Sequence, residues 1–203
     1  MALKLDLSGS LYLGFLSLLA LERLVELAIS RRNAAWALGR GGVELGQRHF
    51  LWMKLLHGAF FAACALEVLL ASRRFYAPVG YPMLFFAVLA QGLRYWAIAA
   101  LGRRWNVRVI AIPGAPAVTR GPYRYLRHPN YLAVIVEGIA VPMVHGAWLT
   151  AAGFTLLNAW LLLVRIRCEE RALAEHCGYD ELLGDRGRLL PWAAAAAGGR
   201  DDR

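Results

Sequence analysis

Apolar residues come in long blocks along this chain, broken by short polar phrases. Three blocks, residues 11–30, 50–71 and 79–101, are rich in Leu, Ala, Phe and Val. Each has about the 20 residues that a helix needs to cross the ~30 Å hydrocarbon core of a bilayer. Two further blocks, 131–144 and 148–164, are shorter arms on either side of His145-Gly146-Ala147. A tight turn there makes them a helical hairpin that enters the membrane as a unit. The pattern predicts an all-α, polytopic membrane protein with about five transmembrane helices, the last two forming the hairpin, plus a polar loop over 102–127 and a C-terminal helix. It divides the chain into N-terminal spans (1–101), a core (102–192) and a small, polar tail (193–203) expected to be disordered.

The polar phrases carry their own expectations. Residues 30–49 read as a connector whose glycines, at 39, 41, 42 and 46, break any helix. Its Trp36, Arg31 and Arg32 suit an interfacial segment. Residues 72–78 are a short link. Val107-Arg-Val-Ile-Ala-Ile112 suits a short extended piece before Pro113-Gly114. Polar residues inside spans are costly and need partners. Glu22, Arg23 and Glu26 read either as a mutually paired cluster or as one wall of a polar cavity. Lys54 and His57 sit in the first turns of the second span, where Lys54 can snorkel. Arg94 is expected to pair with Glu67 or a first-span glutamate, or to face a polar cavity.

Composition strengthens the membrane reading. Of 203 residues, 59% are hydrophobic, against ~45–50% in soluble domains, and the mean hydropathy is +0.43. The formal charge of +9 comes from 23 basic and 14 acidic side chains, nearly all the basic ones Arg. Their clustering between apolar blocks follows the positive-inside rule and excludes nucleic acid as the partner. The rich segments are 30–49, 102–127 and the C-terminal region. Five spans with the N-terminus outside place all of them in the cytoplasm, in a bacterial inner membrane. Glu22, Arg23 and Glu26 stand where a signal-peptide cleavage region should be, so the first helix is expected to be retained. Cys64, Cys168 and Cys177 have neither zinc nor disulfide spacing, and Cys64 is expected in the core. No repeat suggests the matched halves of a transporter.

The chemistry concentrates in Gly121-Pro-Tyr-Arg-Tyr-Leu-Arg-His-Pro-Asn-Tyr131. Gly121 permits close backbone approach and Pro122 fixes the geometry that follows. Tyr123, Tyr125 and Tyr131 can pack flat against an adenine or its sugar. Arg127 and His128 can meet a carboxylate. Pro129 suits the first position of a helix, leaving backbone N–H groups facing the pocket. A second constellation is Arg165 with Glu169, four apart on the helix leaving the last span. Glu170 and Arg171 read as an ordinary surface pair.

Together, Thr119-Arg-Gly-Pro-Tyr-Arg-Tyr-Leu-Arg-His-Pro-Asn-Tyr131, the hairpin, Arg165-x-x-x-Glu169-Glu170 and Gly178-Tyr-Asp-Glu-Leu182 resemble the isoprenylcysteine carboxyl methyltransferase family of integral membrane methyltransferases. The resemblance is specific over 102–192. The bacterial branch is also similar in Ser30-Arg-Arg-Asn-Ala-Ala-Trp and Gly41-Gly-Val-Glu44. It implies S-adenosylmethionine bound at the cytosolic membrane face without a Rossmann sheet, with S-adenosylhomocysteine as product. The family's cofactor segment maps onto Ala115, Pro116, Ala117, Val118, Thr119, Gly121, Pro122 and Tyr123. It continues with Arg127, His128, Pro129, Asn130 and Tyr131. Its acidic cofactor contact maps onto Glu169, and its arginine close to the acceptor onto Arg165, the expected catalytic residue. No metal is implied. Eukaryotic members carry a His-Thr pair where this chain has Ala115-Pro116, so backbone contacts are expected to serve there.

The implied reaction is in-line displacement at a sulfonium methyl by an oxygen of a lipophilic acceptor, with Arg165 orienting the anionic acceptor. The family suggests an isoprenylcysteine carboxylate. Bacterial relatives raise a second acceptor, the hydroxyl of a long-chain polyketide lipid such as an alkylpyrone or alkylresorcinol, and a phospholipid amine is a third. The Ala-, Gly-, Leu- and Arg-rich composition suggests a GC-rich bacterial genome, where prenylated proteins are not the default substrate. A membrane transporter or scaffold is the competing class.

Overall fold

The computed structural model describes residues 6–71 and 73–191. The tail expected to be disordered, and Trp192 before it, lie outside the described residues. Eight elements are named here: α1 (Leu7–Leu38), β1 (Val43–Leu45), α2 (Gln47–Leu70), α3 (Ala77–Leu101), β2 (Val109–Ala111), α4 (Pro129–Met143), α5 (Trp148–Cys177) and α6 (Tyr179–Leu183). The fold is all-α apart from β1 and β2. These pair antiparallel, with Glu44 opposite Ile110, so the short extended piece predicted near 107–112 is present.

Among the described residues, Phe50–Leu70, Ala77–Arg104 and Trp148–Cys177 are long and apolar enough to cross a membrane, and Pro129–Met143 is a shorter apolar helix. The chain is an integral membrane protein. Its large apolar side chains face outward: Leu18, Leu24, Phe85, Val88, Leu156 and Trp160 are all exposed. Small ones face inward, with Gly80, Ala87, Ala90, Ala97 and Ala100 making the buried stripe of α3. Lipid tails are as apolar as leucine, so small residues between helices gain closer backbone contact instead.

α1 differs from its expected bounds. It runs unbroken for 32 residues, through the first part of the segment read as a connector. No glycine or proline lies between Gly14 and Gly39, and Ala34, Ala35 and Ala37 favour helix. Its first turn lies beside the hairpin turn, where Ser8 Oγ is 3.1 Å from His145 Nε2. Its last third reaches the loop after α3, where Asn33 donates to the Trp105 carbonyl at 2.8 Å. α1 therefore covers the same depth as its neighbours despite its charged residues.

Arg94 meets a first-span glutamate and a cavity wall, as expected, and gains a further partner from α4. Arg94 pairs with Glu137 of α4, Nε to Oε1 at 3.0 Å and Nη2 to Oε2 at 2.6 Å. It also lies 3.7 Å from Glu26 of α1. Glu67 is not its partner. That carboxylate sits at the far end of α2, accepting from the Thr150 N–H at 2.7 Å and the Leu149 N–H at 3.2 Å. It caps α5, whose first amides have no helical acceptor of their own.

The expected turn between α4 and α5 is present, with Gly146 at φ 72°. α5 carries straight on past Arg165 as one 30-residue helix, about 45 Å long. Its second half leaves the bilayer level without a break. All three cysteines are free, and Cys64 is fully buried in the core as expected.

Gly80 marks the closest approach in this packing. A Cβ there would meet the Phe75 ring and stand 2.8 Å from the Val144 carbonyl oxygen, whereas a Cβ at Gly92 on the same helix meets nothing within 4 Å. Gly80→Ala is expected to destabilise the protein by ~1–3 kcal/mol. Gly92→Ala is expected to be neutral or stabilising by up to ~1 kcal/mol. Thermal unfolding of both variants in one detergent checks the pair.

Candidate active site

The site is built on the arginine-rich face, where α1 and α3 end, α4 begins and the second half of α5 runs. Ser30, almost fully buried in α1, organises the loop that follows α3. Its Oγ donates to Asn106 Oδ1 at 2.7 Å and accepts from the Val107 N–H at 3.0 Å. Asn106 Nδ2 donates back to the Ser30 carbonyl at 3.2 Å. Glu44 meets Arg108 at 3.2 Å, beside the β1–β2 pair. The phrases around Ser30 and Gly41 thus act as the loop's anchors.

The loop fixed in this way receives Arg165. Arg165 is buried and donates from Nη2 to the Val107 carbonyl at 2.6 Å and from Nε to Tyr131 Oη at 2.7 Å. Nη1 lies 3.4 Å from Met53 Sδ of α2. Tyr131 Oη in turn donates to Glu169 Oε2. The expected Arg165 and Glu169 pair is therefore bridged by a phenol, in the order Arg165, Tyr131, Glu169. Arg165 and Tyr131 are each held by more than one bond, which pre-orients them.

The residues after α5 strap this centre down. The Arg127 and His128 N–H groups donate to the Gly187 and Arg188 carbonyls, each at 3.0 Å. The Arg127 side chain donates to the Arg186 carbonyl at 2.6 Å. His128 Nε2 is 3.1 Å from Glu170 Oε1, and Arg188 meets Glu170 Oε2 at 2.7 Å. Glu170 is therefore not an ordinary surface residue. It is the carboxylate that Arg127 and His128 face, and this was missed because its partners lie far along the chain. Tyr179 Oη is 3.4 Å from His128 Nε2. Burial pushes the Tyr123 and Tyr179 hydroxyls up, and nearby Glu169 adds to it, so both stay neutral.

The segment at 114–117 lies on the end of α5. The Gly114 and Ala117 N–H groups donate to the last carbonyls of α5, His176 at 3.1 Å and Cys177 at 3.3 Å. Gly178 ends the helix in the left-handed conformation, φ 59°. Arg104 Nη1 donates to the Pro116 carbonyl at 2.6 Å. Of the backbone groups in 115–117, the Ala117 N–H and the Pro116 carbonyl are engaged in these contacts.

Two cavities meet at this centre. The first lies under the loop and is lined by Ala115, Pro116, Ala117, Val118, Tyr123, Arg127, His128, Asn130, Tyr131 and Glu169 among others. The second, about 480 Å³, is walled by α1, α2, α4 and α5, with Arg94 of α3 and mostly apolar side chains. Trp105, Asn106, Asn130, Tyr131 and Arg165 belong to both. Asn130 Oδ1 is buried without a hydrogen-bond partner, which is costly unless a ligand donates to it.

The remaining candidates stand behind the wall. Thr119, Gly121, Pro122 and Pro129 do not line the first cavity. Gly121 serves packing: a Cβ there would stand 2.8 Å from Ala100 Cβ on α3. Tyr125 is exposed, with Arg124 over its ring. The first amides of α4 turn inward, Tyr131 and Leu132 both donating to the His128 carbonyl at 3.1 and 3.2 Å. Asn106, Tyr179 and Glu137 were not singled out as site residues. Tyr179 was legible within the Gly178-Tyr-Asp-Glu phrase, whereas Asn106 and Glu137 had no local signal.

Three similarities to known proteins bear on this site. The sequence model of the isoprenylcysteine carboxyl methyltransferase (ICMT) family matches residues 83–175. The uncharacterized protein YpbQ of Bacillus subtilis (strain 168) is 36% identical over 163 residues, covering 79% of this chain and 95% of that protein. An uncharacterized protein of Haemophilus influenzae is 28% identical over 155 residues, covering 75% of this chain and 88% of that protein.

Proposed function

Because the chain belongs to the isoprenylcysteine carboxyl methyltransferase family, we propose that it transfers a methyl group from S-adenosylmethionine to an oxygen of a lipophilic acceptor. Family membership makes it a membrane methyltransferase. The donor, the acceptor and the residue roles are our reading. The observation that carries it is the wall common to the two cavities, formed by Tyr131, Asn130 and Arg165. A cavity with mixed polar and apolar walls and a mostly apolar one that meet at a buried arginine suit a reaction joining a charged cofactor to a lipid.

The residues of the first cavity fit the cofactor. Val118, Ala172, Leu173 and Leu183 supply an apolar slot for the adenine. Glu169 and the unpartnered Asn130 Oδ1 are acceptors for an ammonium or a ribose hydroxyl. Tyr123 and Tyr179 stay neutral and can donate. When bound, S-adenosylmethionine supplies an electrophilic methyl on a sulfonium. Arg165 then holds the acceptor oxygen through its charge, with its planar group fixed by Tyr131 and the Val107 carbonyl. Tyr131 transmits the position of Glu169 to Arg165, so donor and acceptor sites share one frame. The apolar walls of the second cavity exclude water, which strengthens each of these interactions. The acceptor that the family implies is an isoprenylcysteine carboxylate, whose oxygen is already anionic at neutral pH.

The arginine-rich segments all lie at the end of the helices where the site is, which supports a site facing the cytoplasm of a bacterial inner membrane. The mostly apolar walls of the second cavity suit the acceptor's tail.

S-adenosylhomocysteine is expected to raise the unfolding temperature of the detergent-solubilised protein, by ~2.7 kcal/mol of stability at a hundredfold excess over Kd. Glu169→Gln is expected to weaken that binding about tenfold or more. No shift at millimolar ligand overturns the reading. Methyl transfer from labelled donor to an S-farnesylcysteine analogue tests the acceptor.

A further inference from the structure

One peptide group aims Arg165. Its carbonyl, that of Val107, accepts from Arg165 Nη2 at 2.6 Å. Its N–H belongs to Arg108 and donates to Asn106 Oδ1 at 3.0 Å. In a trans peptide the two groups lie on opposite sides of one rigid plane, so whatever fixes the N–H also aims the carbonyl. A bond on the N–H side polarises the carbonyl as well and makes it a stronger acceptor. Asn106 is held in turn by Ser30 of α1. Ser30 Oγ donates to Asn106 Oδ1 at 2.7 Å, and Asn106 Nδ2 donates to the Ser30 carbonyl at 3.2 Å. One residue thus grips both ends of the amide. The same Oγ accepts from the Val107 N–H at 3.0 Å, which fixes the preceding peptide too. A backbone N–H only donates and a carbonyl only accepts, so these partners settle the direction of every bond.

Ser30 is 2% exposed and lines neither cavity. It also lies outside residues 83–175, which carry the family match. A serine inside a helix commonly turns back on its own helix, as Ser17 does in donating to the Leu13 carbonyl at 2.8 Å. Ser30 spends its hydroxyl on the loop instead. The loop has other fastenings. Asn33 donates to the Trp105 carbonyl at 2.8 Å, Leu45 pairs with Val109 across the two strands, and Arg108 Nη1 meets Glu44 at 3.2 Å. These hold the loop in place without touching the Val107 carbonyl. Its direction is set by Ser30 and Asn106.

We infer that Ser30 is a positioning residue for methyl transfer, setting the direction of the Arg165 guanidinium through the Asn106 amide and the Val107 carbonyl. This rests on the methyltransferase reading above. Arg165 is then held from two sides. Tyr131 ties it to Glu169 and the cofactor cavity, and the Val107 carbonyl ties it to α1. A guanidinium released from the Val107 side keeps its charge but loses its aim. The acceptor oxygen it holds then leaves the line of the carbon–sulfur bond, and a misplacement of about 1 Å costs up to ~100-fold in rate. The first helix therefore contributes to the reaction as well as to the membrane frame.

The test measures single-turnover methyl transfer to an S-farnesylcysteine analogue by wild type, Ser30→Ala and Asn33→Ala, each with and without Arg165→Ala. Ser30→Ala is expected to lower the rate about 10- to 100-fold, with the Kd of S-adenosylhomocysteine within about threefold of wild type. Asn33→Ala unfastens the same loop from the same helix and is expected to stay within about threefold in rate. In the Arg165→Ala background, Ser30→Ala is expected to cost no more than about twofold further, because the group it aims is gone. A second readout needs neither turnover nor cofactor. Met53 Sδ lies 3.4 Å from Arg165 Nη1, so the NMR signal of its labelled methyl group, assigned with Met53→Leu, reports where the guanidinium is. That signal is expected to shift in Ser30→Ala and Arg165→Ala and to stay in place in Asn33→Ala. If Ser30→Ala does not fold, Ser30→Cys fills the same space with a weak donor and acceptor and is expected to show the same loss and shift. Equal losses in Ser30→Ala and Asn33→Ala, or a full further loss in the Arg165→Ala background, make Ser30 a packing residue and overturn the inference. An unmoved Met53 signal in Ser30→Ala also overturns it, and leaves the methyltransferase reading standing. Absence of S-adenosylhomocysteine binding by wild type removes both.

Discussion

Arg165→Ala is expected to lower methyl transfer about 10³-fold while S-adenosylhomocysteine binding stays within about threefold. The split follows from where the guanidinium points. Its three contacts are the Val107 carbonyl, Tyr131 Oη and Met53 Sδ. It lies on the wall that both cavities have in common, whereas Glu169 lines only the first. Removing it leaves Tyr131 still donating to Glu169, so the cofactor side keeps its acceptor. The acceptor side loses the charge that holds an anionic oxygen in line. Arg165→Lys restores the charge but not the planar fork, and is expected to recover about tenfold. Single-turnover rates with titrated S-adenosylhomocysteine separate the two effects. A proportional loss of binding and rate in Arg165→Ala would show that the arginine serves the cofactor instead.

Arg94→Met is expected to cost ~3–5 kcal/mol of stability. Arg94 is buried between α1, α3 and α4, and its removal leaves Glu137 and Glu26 facing each other with Arg23 as their remaining cation. A carboxylate stranded at bilayer depth has no water to solvate it. The double variant Arg94→Met with Glu137→Met removes the main pair together and is expected to recover most of the loss. Thermal unfolding in detergent of the two singles and the double gives the coupling energy directly. Additive losses would show that the pair does not act as a unit.

The helices were legible because span length and composition are local. Residues 50–71 and 79–101 emerged within two or three positions of their observed ends, as did the turn at His145-Gly146-Ala147. The same logic misjudged residues 30–38: glycines further on were given weight against a run of good helix formers. The pieces of the site were also legible, since Arg127, His128, Tyr131, Arg165 and Glu169 occur in two compact phrases. Glu170 was misread because its place in the chain, next to Arg171, suggested a surface pair. Its partners, His128 and Arg188, are 42 and 18 positions away.

By itself, then, the sequence determined the membrane architecture, the arginine-rich end and the residue types available for methyl transfer. Each of these depends on neighbours a few positions apart, or on a phrase kept whole. The tertiary structure alone decided what those residues do to one another. It set Tyr131 between Arg165 and Glu169, Arg94 on Glu137 43 positions away, and Met53 against Arg165 across 112 positions. It also turned His57 into the second cavity. A side chain's partner is fixed by how helices pack, and packing among apolar faces of similar composition is settled by shape and small residues rather than by any local pattern.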